Sequence, residues 1–74
     1  MSMLNIGDPV QVVANYFVAY LRGARGTVSP VYEHIRNFIS EEQIWIEFDE
    51  LVPDEEGKLT DAGAFLPTDL QPLQ

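Results

Sequence analysis

The chain of 74 residues has no cysteine, a single histidine, a single tryptophan and only four lysines and arginines. Without cysteine it can form neither a disulfide nor a thiolate metal site. No apolar run approaches the length needed to cross a bilayer; the longest, around Tyr16 to Leu21, is far too short. The opening "MSMLNIGD" has neither the basic region nor the apolar stretch of a signal peptide. The expectation is a soluble cytoplasmic protein with no membrane attachment.

The chemistry that needs particular residue types is equally sparse. Ser2, Ser29 and Ser40 lie in no nucleophile motif. Gly23-Ala24-Arg25-Gly26 lacks the spacing and the lysine of a phosphate loop. His34 stands beside Glu33 and reads as a surface or hydrogen-bonded residue, since a general base or a metal ligand needs convergent partners. Asp54, Glu55, Glu56 and Asp61 do not follow the alternating ligand pattern of a calcium loop and read as a solvated acidic loop. No catalytic residue, no metal ligand and no cofactor is assigned, and an enzyme is not expected.

What is present is charge and pattern. The net charge is −8. Residues 1–40 set Asp8 and Glu33 against Arg22, Arg25 and Arg36; residues 41–74 set ten acids against Lys58 alone. Such a C-terminal half repels nucleic acid and acidic membrane surfaces. At this length the chain is one domain, 1–74, with a small core that a partner or a second copy could extend.

The stretch "GDPVQVVANYFVAYLRGARGTV" is ambiguous. Read as a helix, it has Asp8 as a cap, Pro9 at the first position and Val10, Val13, Ala14, Phe17 and Leu21 on one face. Read as strands, it has Val10 and Val12 alternating with Gln11, and "GARGTV" as a turn entering a second strand. Farther on, "QIWIEFDE" alternates cleanly: Ile44, Ile46 and Phe48 lie on one face, Trp45, Glu47 and Asp49 on the other. That strand needs partners, and Val10–Val13 and Thr27–Val31 are the best supply.

A resemblance favours the strands. Gly7-Asp8 before the valines, the Gly-x-x-Gly-x-Val step from Gly23 to Val28, Ile46 to Asp49, and Asp69-Leu70 stand in the order found in small bacterial KOW-type, SH3-like barrel proteins. The likeness covers about three-quarters of the chain and rests on the order and spacing of individually weak motifs. It implies a mostly β, five-stranded SH3-like barrel with an elongated connection between strands 2 and 3. Within "SPVYEHIRNFISEEQ" either Ser29-Pro30 caps a short helix or strand two runs on through Tyr32 to Ile35 and turns near Asn37; the extended strand is the slightly preferred reading. "PDEEGKLTDAG" reads as a polar loop with turns at Gly57 and Gly63, Ala64 to Leu66 as a fourth strand, Pro67-Thr68-Asp69 as a turn, and Leu70 to Leu73 as an edge strand containing Pro72.

The expected function is non-catalytic binding, most readily of another protein. The candidate partner surface is Tyr16, Phe17, Tyr20, Leu21 and Trp45. Trp45 lies on the polar side of its strand, so either the inserted segment covers it through Tyr32, Ile35 and Phe38, or it anchors an interface with an unidentified partner or a second copy. KOW-type relatives often attach to RNA or to the transcription and translation machinery, but three arginines beside so acidic a half disfavour direct nucleic-acid binding. An acidic mimic occupying a basic protein site is a further alternative.

Overall fold

The computed structural model describes residues 4–73. Five antiparallel strands form one sheet in the order β4-β3-β2-β1-β5: β1 is Pro9–Val12, β2 Arg25–Ser29, β3 Ile44–Pro53, β4 Leu59–Phe65 and β5 Leu70–Pro72. The opening stretch is therefore a strand and not a long helix. The fold is mostly β, but the sheet is not closed into a barrel: β4 and β5 stand at its two edges.

Register follows from the alternation. Val10 and Val12 of β1, Val28 of β2, Ile46 of β3, Phe65 of β4 and Leu70 of β5 are buried in one cluster, joined by Tyr16 from the loop after β1. Residues of non-neighbouring strands share this core, so the sheet curls around it. Ile46 and Phe65 are only 1% exposed, and each occupies room left by a glycine. A Cβ on Gly26 would stand 2.6 Å from the Ile46 side chain and 2.5 Å from the Glu47 carbonyl oxygen; one on Gly63 would stand 3.0 Å from the Phe65 ring. Both glycines lie inside strands, where glycine marks a close approach. Neither is the turn residue that its sequence context implied; the turns use Gly23 and Gly57, both at positive φ.

Three further expectations are corrected. Strand two does not continue to Ile35. It ends at Ser29, Pro30 has no N–H to offer the ladder, and a single helical turn, α1, spans Glu33–Arg36. The fourth strand begins earlier than Ala64 and ends at Phe65, because β3 runs on to Pro53 and pairs with residues 59–63, which carry no strand pattern of their own. The loop shrinks to a tight turn in which the Asp54 carboxylate accepts the backbone N–H groups of Glu56 and Lys58, both at 2.9 Å. Pro67–Asp69 is a 3-10 turn leading into β5. β5 is an edge strand as expected.

Gly26→Ala is expected to destabilise the fold by the upper part of the range of about 1–3 kcal/mol seen for overpacking, or more, because a backbone carbonyl cannot yield as a side chain can. A drop in the urea midpoint checks this; an unchanged midpoint would show that β2 and β3 are not so closely apposed.

Candidate functional site: the outer face of the sheet around Trp45

The alternation that buries Ile44 and Ile46 turns Trp45 and Glu47 to the opposite face. Trp45 is flanked by Ser29 on β2 and Ala64 on β4; Glu47 is flanked by Thr27 and Ala62. These small neighbours leave the indole room on the sheet, and it is half-buried there. α1 supplies a wall. Tyr32, His34 and Ile35 border a groove of about 500 Å³ with Trp45, Glu47 and Asp61. The Tyr32 and His34 rings are stacked, 6.0 Å apart and within 9° of parallel. The Ser29 hydroxyl donates to Glu47 Oε2 at 3.0 Å and holds that carboxylate beside the groove. A smaller hollow of about 190 Å³ adjoins it, sharing Tyr32 and Glu47 and reaching Ile6, Thr27 and Pro30.

A second groove, of about 520 Å³, lies at the other end of β3. The β3–β4 register jumps between Glu47 and Val52, so Phe48 to Leu51 face Asp61 alone and bulge outward. Asp49 and Glu50 of this bulge line the groove together with Tyr20, Arg22 and Arg25. Arg36 lines a separate hollow with Glu41. The three arginines therefore make no continuous basic track.

The five residues expected to share a partner surface are dispersed. Tyr16 is 8% exposed and belongs to the core, with its ring centroid 5.2 Å from that of Phe65. Its carbonyl oxygen accepts the Arg22 Nε–H at 2.6 Å, which ties down the loop after β1. Leu21 packs half-buried against the core. Phe17 stands 81% exposed, although its ring touches that of Tyr16. Tyr20 lines the arginine groove and Trp45 the outer-face groove. The inserted segment borders Trp45 through Tyr32 and Ile35 without sealing it, and Phe38 is 86% exposed.

Sequence reasoning missed Asp61 and His34 as members of the groove. Asp61 looked like loop because the first half of β4 has no strand signal of its own. His34 comes to the sheet only through α1. Glu47 was legible, since alternation places it beside Trp45. Among the described residues no group of three potential ligands could hold a metal ion, and no helix is long and apolar enough to cross a membrane. No family model, no curated protein and no solved structure matches this chain.

Burial raises the Tyr16 hydroxyl above the ordinary tyrosine pKa, with smaller contributions from Asp69 and Tyr20. The fold thus favours the neutral phenol. The stability this confers is intact below the unfolded pKa of 10.0 and is lost as pH rises from there through the higher folded value. Tyr16→Phe is expected to flatten the alkaline loss of stability, measured as thermal midpoints against pH. The tyrosinate absorbance of the wild-type chain is expected to show one delayed ionisation, which the variant lacks.

Proposed function

We propose that the chain is a non-catalytic protein-binding module of SH3-like architecture that docks its partner on the outer face of the sheet. The strand order β4-β3-β2-β1-β5 and the 3-10 turn before β5 support the SH3-like reading. The observation that carries the function is Trp45, a large aromatic on the outer face that is only half-buried between small neighbours, with a wall of further rings beside it. Aromatic side chains in such hollows bury much area with few rotatable bonds and anchor interfaces. Tyr32, 47% exposed, and Ile6, 68% exposed, extend this apolar surface along the smaller hollow.

Chemical cross-linking in lysate, with wild-type protein as bait, tests the reading. Tyr32→Ala alters the groove wall at an exposed position, and Phe38→Ala truncates an exposed ring that does not border it. The expected result is a discrete cross-linked species that Phe38→Ala retains and Tyr32→Ala loses, with the thermal midpoint of Tyr32→Ala unchanged. Equal capture by both variants would rule out this face.

Direct nucleic-acid binding is not favoured. Arg22 and Arg25 share their groove with Asp49 and Glu50, so a phosphate approaching the arginines also meets carboxylates. Single- and double-stranded oligonucleotides titrated at low salt are expected to show no micromolar binding. Salt-sensitive binding that is lost in Arg22→Ala/Arg25→Ala would reverse this reading.

A further inference from the structure

We infer that the occupant of the Trp45 groove is cationic: an extended segment of a partner protein that presents lysine or arginine side chains to Trp45, Tyr32, Glu47 and Asp61. This rests on the docking face proposed above and adds the chemistry of its ligand.

Three observations converge. The groove is bordered by the rings of Trp45, Tyr32 and His34, and a cation over the face of a tryptophan or tyrosine is attracted by the ring quadrupole. It also carries two carboxylates, Glu47 and Asp61, and no lysine or arginine borders it or the adjoining hollow. The Ser29 hydroxyl already holds Glu47, so less side-chain freedom is lost when a ligand engages it. A wholly apolar occupant would cover these carboxylates without pairing them, at a desolvation cost. An anionic occupant would meet them directly, within a C-terminal half bearing ten acids and one lysine. A lysine or arginine side chain satisfies both surfaces at once, its stem on the rings and its head at the carboxylates. The two hollows meet at Tyr32 and Glu47, so the surface is longer than one side chain and suits an extended segment whose next residue packs near Ile6.

The test uses the full chain, nitrogen-labelled for amide spectra, at an ionic strength of about 0.15 M, where charges on a distant surface are largely screened. The probes are three capped heptapeptides that alternate arginine with alanine, glutamate with alanine, and leucine with serine. The arginine peptide is expected to move the amide signals of Thr27, Trp45, Glu47 and Ala62 and to change the emission of the single tryptophan. The glutamate peptide is expected to do neither. Glu47→Gln/Asp61→Asn, which keeps size and hydrogen-bonding atoms, is expected to weaken the arginine peptide about tenfold without moving the thermal midpoint. Trp45→Phe, which preserves a ring, is expected to weaken it less.

Shifts centred on Glu41, Glu42, Glu55 and Glu56 instead of the groove would reduce the interaction to diffuse charge attraction and overturn the inference. Undiminished binding by the double variant would do the same. Equal binding of the leucine–serine peptide at the same amides would overturn the cationic ligand while leaving the docking face standing. If no peptide moves those amides and they shift instead with protein concentration, with dimers in sedimentation, the face is a contact between copies and both readings fall.

Discussion

The placement of Ile46 and Phe65 in the space left by Gly26 and Gly63 is the constraint on which the rest of this structure depends. A small domain can bury only a modest fraction of its surface, so its few large core side chains must sit deep. Here depth comes from removing side chains on β2 and β4 instead of spreading the sheet. The consequence reaches the far side of the sheet. Strand side chains alternate, so fixing Ile46 inward fixes Trp45 and Glu47 outward, and a slip of one residue would exchange the two sets. The outer-face groove and the core are thus set by the same register.

The two long connections serve different ends. The segment after β1 turns back on the sheet and contributes Tyr16 to the core, held by the Arg22 side chain on its backbone. It completes a core that the strands alone would leave short. The segment between β2 and β3 buries no residue, and α1 instead raises a wall beside Trp45. Acidic side chains are distributed with similar economy: Asp54 organises the hairpin turn, Asp49 and Glu50 ride on the bulge and share a groove with two arginines, and Glu47 and Asp61 border the Trp45 groove.

Much of the fold was legible because period-two alternation is a direct imprint of a half-buried strand. β3 and the inward face of Ile46 were identified from it, whereas β1, whose valines alternate but also suit a helix, and β5 rested on the order of motifs along the chain. The unread parts have specific causes. Residues 59–63 become strand because β3 extends far enough to pair with them, a tertiary effect that Asp61 and Gly63 do not announce. Val31, Tyr32 and Ile35 suit a strand as well as a helical turn, and Pro30 decides by ending the ladder. Tyr16 lay outside any periodic element, so its burial had no local signal and it was grouped with exposed aromatics. For the site, Trp45 and Glu47 could be read from one strand, whereas Tyr32, His34 and Asp61 join them only through the three-dimensional path of the chain.

The pairing of β1 with β5 has a consequence for how the molecule acquires its shape. Val10 lies opposite Pro72 and Val12 opposite Leu70, so strands from opposite ends of the sequence are direct neighbours. Joining them closes a loop of nearly the whole chain, the largest entropic cost of any contact in the sheet. The β3–β4 hairpin, closed by its short turn at Asp54 to Lys58, bears the smallest such cost. Assembly that begins at this hairpin, adds β2 and then β1, and seats β5 last spreads the cost over successive steps. A chain folding in that order would hold the Trp45 face of β2, β3 and β4 while Leu70 still awaited its place against Val12.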